Sequence, residues 1–449
     1  MKSIIKVFSA KLGIDGAIAY TILTRVIQAG SGLISIIFIA KFLSSNEQGY
    51  YYTFASVLAI QIFFELGLSG IITQYAAHEF AHLSLTADFQ LAGEEFHKSR
   101  LSSLLRFCVK WFAIISGILF FILLAVGFFF FSSYNKDLNI SWHYPWVILC
   151  VATSLNLFID PVLAFFDGLN QVKDMSKVRL IQKIANIVLL FVFFLCGFKL
   201  YAAALASLIA IGINYIQVIF SNRIKLLKAV WRAQSKWKIN YLKEIFPLQW
   251  KIALSWISGY FIFQLFIPVL FATEGPIVAG QMGMTLAALN GVLSVSISWI
   301  TTKVPLFSGL IAKKEYEKLN EKFNLITKQA CLICALCLGI FIIFVEIVRH
   351  FHFPVGNRFL PTFPLVLLTI CTFISQFIFA LATYLRCHKK EPFLVQSIVM
   401  GILSALSTIF LGKYFGVNGI TIGYTTLMIF AGLLWVTIIF KNKKLEWHH

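Results

Sequence analysis

The chain has 449 residues, 59% hydrophobic and 13% charged, with a mean hydropathy of +0.83 and a formal net charge of +19. No soluble domain of this size is so apolar, which excludes a water-soluble enzyme or binding module and leaves an all-α polytopic membrane protein. The basic excess lies between apolar runs, where Lys and Arg report orientation and not nucleic-acid binding.

About twelve runs are long enough to cross a bilayer. In chain order their approximate cores are 17–41, 49–73, 111–131, 145–166, 180–197, 200–220, 252–271, 280–302, 329–348, 362–385, 393–412 and 418–440. The basic leader MKSIIKVFSAKLGIDG runs into a full-length span with no small-residue cleavage site, so the first span is expected to be retained. The connections at 197–200 and 413–417 are so short that the flanking spans must be hairpins. With the N-terminus inside, 31 of the 38 basic residues fall on inner loops and six on outer ones, and Arg25 is the remaining one. This asymmetry predicts both termini in the cytoplasm and an even number of spans.

Span one, AIAYTILTRVIQAGSGLISIIFIAKFL, carries Arg25 and Gln28 within its apolar run. A charge near mid-span costs about 2.5–3.5 kcal/mol on insertion scales. Arg25 lies roughly 13 Å inside Gly16 at 1.5 Å per residue, which a snorkelling side chain covers only in part. It either snorkels or lines a polar path. Other spans repeat the polar pattern at helical spacing: Gln61, Glu65, Ser69 and Thr73; Asn290, Ser294, Ser298 and Thr302; Thr369, Thr372, Gln376 and Thr383. Interhelical packing explains the hydroxyls, at about 0.6 kcal/mol per contact. Charges need water, a partner or a ligand, so a polar central cavity is expected. Glu65 is a candidate counter-charge for Arg25 or a proton or cation site. Asp160, one turn after Asn156 and before Pro161, is a hinge, a cap or an ion site, and Pro161 is expected to break the fourth span.

After span two the chain reads QYAAHEFAHL, and His78, Glu79 and His82 spell the H-E-x-x-H of zinc proteases. A later Asn156 and Asp167-Gly168 add a loose echo of a membrane zinc protease, but the spacing fits poorly and twelve spans exceed that design. This remains a remote alternative, and no metal is expected. The following EEFHKSRLSSLLRFCVKW sets Arg100 and Arg106 beside Leu101, Leu104 and Leu105, as an interfacial helix would. Cys331, Cys334 and Cys337 share one helix face and read as a helix contact. No phosphate-cradling G-x-x-x-x-G-K-[ST] is present, so no cofactor or built-in ATPase is expected and any coupling would be to protons or sodium.

The longest inner loop, SNRIKLLKAVWRAQSKWKINYLKE, divides the chain into a lobe over 1–222, a basic linker over 223–244 and a second lobe over 245–449. The outer turns FLSSNEQG and FATEGPIVAG correspond in the two halves, each with an acid and a glycine. Repeated halves suit a transporter with its site between them.

FLSSNEQGYYYTFASVLAIQIFFELGLSGIITQYAAHE, FFDGLNQVKDMSKVRLIQ, FPLQWKIALSWISGYFIFQLFIPVLFATEG and TYLRCHKKEPF resemble Wzx-type polysaccharide flippases of the multidrug/oligosaccharidyl-lipid/polysaccharide exporter (MOP) superfamily. The resemblance spans nearly the whole chain. It implies a bacterial inner-membrane protein of two six-helix lobes around a central cavity. It also implies export, by alternating access, of undecaprenyl-pyrophosphate-linked oligosaccharide, such as an O-antigen repeat unit for lipopolysaccharide. A polysaccharide polymerase and chain-length machinery would be partners besides membrane lipids. Related flippases carry a pyrophosphate-binding arginine in the first span, where Arg25 stands, and Lys251 and Lys303 are further candidates. Gln28, Gln61, Ser69, Asn290, Ser294, Ser298 and Gln376 would line the cavity, with Glu65 and Asp160 coupling an ion. The alternative within the superfamily is an ion-coupled drug antiporter. Multidrug members often carry an acid in span one, and this chain has none from Gly16 to Leu43.

Overall fold

In hydrocarbon every backbone N–H and C=O must be satisfied within its own segment, so each long apolar run becomes a helix. The computed structural model describes residue 32 and residues 34–86, 91–134, 140–233, 236–388 and 390–448. Among these, nine helical stretches are long and apolar enough to cross a bilayer. Two of them, of 53 and 55 residues, are too long for one crossing. Each is divided at a residue of positive φ: Asn170 (φ 62°) in the first and Gly416 (φ 56°) in the second. Span one, expected over 17–41, is described from residue 34 as α1 (34–42), with Gly32 helical before it.

The helices that follow α1 are α2 (Ser45–Leu58), α3 (Leu68–Phe80), α4 (Glu95–Tyr134), α5 (His143–Phe166), α6 (Val172–Leu195), α7 (Leu200–Ile219) and α8 (Arg223–Arg232). Then come α9 (Phe246–Phe263), α10 (Phe266–Thr273), α11 (Pro276–Thr301), α12 (Val304–Ala312), α13 (Tyr316–His350), α14 (Thr362–Arg386), α15 (Leu394–Leu427) and α16 (Trp435–His448). Two three-residue strands, Leu83–Leu85 and Leu91–Gly93, pair antiparallel between α3 and α4, with Ser84 opposite Ala92. The turn between α6 and α7 uses Gly197 (φ 79°) and Lys199 (φ 49°), the hairpin that the short connection demanded.

The helices group into two compact units. One is built from Leu58–Ser133 and Ser141–Trp256; the other holds Ile257–His449 and the described part of Ala29–Val57. In the first unit α5 and α6 both pack along α7, and α3 packs on α5. Trp146 is fully buried, donates its indole N–H to the Leu123 carbonyl at 3.2 Å, and packs against Gly127 of α4. A Cβ at Gly127 would collide with that indole, whereas one at Gly117, on the same helix, would meet nothing within 4 Å. Gly127→Ala is therefore expected to lose about 1–3 kcal/mol. Thermal unfolding in detergent, with Gly117→Ala unchanged or slightly stabilised, checks this.

In the second unit α2 opens with a reciprocal capping box. Ser44 N–H donates to Glu47 Oε2 at 2.7 Å and Glu47 N–H donates to Ser44 Oγ at 3.1 Å. Gln48 Nε2 donates to the Gly280 carbonyl at 2.8 Å, and Arg358 Nη2 to the Leu43 carbonyl at 2.6 Å. Glu274, in the corresponding turn of the second half, accepts the Val417 N–H at 2.5 Å just past the Gly416 break. Phe323 and Tyr384, 4.7 Å apart edge to face, centre a core shared by α11, α12, α13 and α14.

Three expectations are corrected. Pro161 does not break the fourth span: α5 runs through it to Phe166, because Val162 to Phe166 are all buried and their packing outweighs one lost backbone bond. The break comes at Asn170 instead. Conversely, span two is interrupted at Leu66 (φ 49°) and Gly67 (φ 69°), so Gln61, Glu65, Ser69 and Thr73 do not share one continuous helix face. Finally, the segment around Leu101, Leu104 and Leu105 is not a separate interfacial helix. It is the first part of the 40-residue α4, and its apolar face is buried in protein.

Candidate functional site

A cavity of about 310 Å³ lies in the first unit among α5, α6 and α7. Its polar lining is Gln61, Thr153, Asn156, Gln182, Lys183, Asn186 and Ser207. Asn156 sits about 20 Å along α5 and Asn186 about 21 Å along α6, which places the cavity well inside the span. Side chains form a relay beneath it. Asn214 Nδ2 donates to Gln182 Oε1 at 2.8 Å, Gln182 Nε2 to Asn156 Oδ1 at 3.3 Å, and Asn156 Nδ2 to Asp160 Oδ2 at 2.7 Å. Asn186 Nδ2 reaches Ser207 Oγ at 3.4 Å. Glu65, Arg179 and Lys183 are the charged groups near enough to act on Asp160. Arg179 is occupied by Asp167 at 2.7 Å, while Lys183 forms no ion pair among the described residues. Amide groups held in a relay present fixed donors and acceptors, and Lys183 adds one cation. Such a cavity can hold a hydroxylated or anionic group at a depth where lipid offers nothing polar.

Of the residues singled out in the sequence, Gln61 lines this cavity and Asp160 ends its relay. Glu65 closes a short helical turn before the Leu66–Gly67 break and accepts from Ser69 Oγ at 3.0 Å. Arg25 and Gln28 lie outside the described residues. Asn290 and Ser294 are exposed, and Ser298 Oγ returns to the Ser294 carbonyl at 2.8 Å. Thr369, Thr372 and Thr383 likewise bond the carbonyls four residues back on α14. Gln376 is fully buried and accepts from Ser296 Oγ at 3.0 Å, joining α14 to α11. Lys251 is exposed, with Nζ 5.8 Å from the Trp250 ring centre, and Lys303 is exposed before α12. Gln182, Lys183, Asn186 and Asn214 are the residues that sequence reasoning passed over. Gln182 and Asn186 stand four apart, the same spacing that marked the other stripes, but Lys183 beside them reads as a loop charge in an orientation census.

In the H-E-x-x-H motif the glutamate belongs to an ion-pair network. Glu79 is buried and both its oxygens are taken, by Arg100 Nε at 2.7 Å and by His97 Nδ1 at 2.8 Å. His78 points to solvent, and His82 stacks on His97 with ring centres 4.1 Å apart. Among the described residues no three His, Cys, Asp or Glu side chains group as a metal site. Arg100 also donates to Glu244 Oε2 at 2.6 Å, and Tyr75 OH to the Glu244 carbonyl at 2.6 Å. The Arg100 contact holds the Glu244 carboxyl below the usual carboxylate range.

No family model and no curated protein matches the sequence. Solved structures do match it over nearly its whole length. An inward-facing multidrug resistance MATE family transporter of the MOP superfamily is 15% identical, with a TM-score of 0.59 over 93% of this chain and 99% of that one. Its outward-facing counterpart is also 15% identical, at 0.55 over 96% and 98%. A MATE transporter from Vibrio cholerae is 14% identical, at 0.54 over 96% and 97%. At this identity the likeness is one of fold, and it shows that the chain folds as a multi-pass, all-helical membrane protein in the manner of the MATE transporters.

Proposed function

We propose that this protein is a flippase that carries an undecaprenyl-pyrophosphate-linked oligosaccharide from the cytoplasmic to the outer leaflet by alternating access. The observation that carries the reading is the span-level cavity of amides and hydroxyls with Lys183 on its wall, a cation that forms no direct ion pair among the described residues. That chemistry suits a phosphorylated, hydroxyl-rich cargo. Arg25, on the first span, supplies a second cation for the pyrophosphate by charge-assisted hydrogen bonding. Lys251 and Lys303 attract the head group at the cytoplasmic face, and the prenyl tail stays in lipid. Glu65 and Asp160 are the sites at which a proton or sodium ion would couple. The product passes to a polysaccharide polymerase in the same inner membrane.

Drug–ion antiport is the second reading. It is favoured by the fold shared with multidrug transporters and by Asp160 at the foot of the cavity. Lys183→Met and Arg25→Ala are each expected to slow flipping of lipid-linked repeat units in reconstituted vesicles by about tenfold to a hundredfold, the worth of a lost charged hydrogen bond. Normal flipping by both variants would remove the pyrophosphate role. Dye efflux that follows an ion gradient and stops in Asp160→Asn would establish the antiporter.

A further inference from the structure

A second cavity, of about 330 Å³, lies in the first unit where α7 meets the amphipathic α8. Apart from Tyr215 and Lys228 its wall is built of apolar side chains, among them Val109 of α4, Val162 of α5, Val218 of α7, and Leu227 and Trp231 of α8. The 20 residues of α7 rise about 30 Å, the thickness of the hydrocarbon layer, so its last turn marks the boundary between acyl chains and head groups. Ile216, Ile219 and Phe220 are exposed there, as lipid-facing side chains are. Helix α8 then lies against the protein by Leu226 and Val230, both buried. Trp231 is partly exposed at the mouth, the position that interfacial tryptophans favour.

The same helix brings charge to the cavity. Lys225, Lys228 and Arg232 step three and four residues along α8 and so share a face, and Lys228 also lines the cavity. None of the three forms an ion pair among the described residues; the nearby Asp174 is 3.9 Å from Arg223 instead. An apolar slot at acyl-chain depth beside three unpaired cations has the polarity of one lipid molecule. We infer that this is a specific site for an anionic glycerophospholipid, with an acyl chain in the slot beside Val109 and Val218 and the phosphate on Lys228 and its neighbours. A zwitterionic lipid would fill the slot equally well but leave the cations uncompensated.

The test is native mass spectrometry of the purified full-length protein titrated with phosphatidylglycerol or phosphatidylcholine. The wild type is expected to hold phosphatidylglycerol at least tenfold more tightly, since each basic side chain near an anionic surface contributes about fivefold. Lys228→Glu with Arg232→Glu should erase that preference, and Val109→Trp, which fills the slot, should abolish retention of both lipids. Should Val109→Trp fail to fold, the charge-reversal pair decides, because Lys228 and Arg232 are exposed. Equal retention of the two lipids by the wild type, or a preference that survives charge reversal, would overturn the assignment. So would displacement of phosphatidylglycerol by an equal amount of undecaprenyl phosphate, which would give the slot to the tail of the proposed cargo.

Discussion

Arg100→Met is expected to lower the unfolding free energy by about 3 kcal/mol, the lower end of what breaking a buried ion pair costs. Arg100 is only partly screened from water, with 18% of its side chain exposed, but its partner Glu79 is 2% exposed. Removing the guanidinium strands the buried Glu79 carboxyl with only histidines beside it, His97 at 2.8 Å and His78 at 3.9 Å. The same change releases Glu244 and loosens the segment that precedes α9. Thermal unfolding in detergent reads the loss. The double variant Glu79→Gln, Arg100→Met should recover part of it, since the stranded charge is gone. If the single variant unfolds with the wild type, the network contributes nothing to the fold. The pH dependence has a definite sign. Glu244 has its folded pKa depressed, so its contribution is present above its unfolded value of about 4.3 and is lost as pH falls through the lower folded value. The gap between wild type and Arg100→Met should therefore be full at pH 7 and narrow under acid.

Gly49→Leu is expected to be comparably severe, about 3 kcal/mol, the upper end for overpacking. A Cβ at Gly49 would run into the backbone carbonyl of Pro276, and backbone has no rotamer with which to yield. Gly280 approaches the same place from the other side, with its Cβ position 2.9 Å from the Gly49 nitrogen, and Gly283 lies against the Tyr52 ring. The leucine must therefore lift α2 off α11 and break the Gln48 bonds to the Gly280 and Arg358 carbonyls. Hydrogen exchange of α2 amides should rise sharply. Gly70→Ala, where a Cβ meets nothing within 4 Å, is the neutral comparison. Unchanged protection of α2 in Gly49→Leu would mean that the close approach is not needed.

The positions of the spans were legible because hydrophobic length is a local property of sequence, and so were the two hairpins forced by short connections. The breaks were not. Proline at 161 is a breaker by local chemistry, yet the buried run that follows it keeps α5 straight through, while Leu66, with no breaking tendency of its own, takes a positive φ beside Gly67. Which of two competing local preferences wins is decided by packing partners remote in sequence. The cavity shows the same limit. Asn156, Gln182 and Asn214 stand on separate spans, and only the fold makes them a relay. The acids and glycines of FLSSNEQG and FATEGPIVAG were visible as a correspondence between halves. That Gly49 and Gly280 touch was not, because a missing side chain leaves no signal of what approaches it.

The Glu79–Arg100–Glu244 network also imposes an order of events during synthesis. Glu79 meets Arg100 after only 21 further residues, within one helical hairpin, so this pair can form early. Glu244 follows Arg100 by 144 residues. At translation rates of about 5–20 residues per second, that interval is about 7–30 s. During it α4, α5, α6 and α7 are inserted while one face of Arg100 still lacks its second carboxylate. The nascent chain thus carries a half-completed clasp through most of the assembly of its first unit, and Glu244 closes it only as α9 is about to be made.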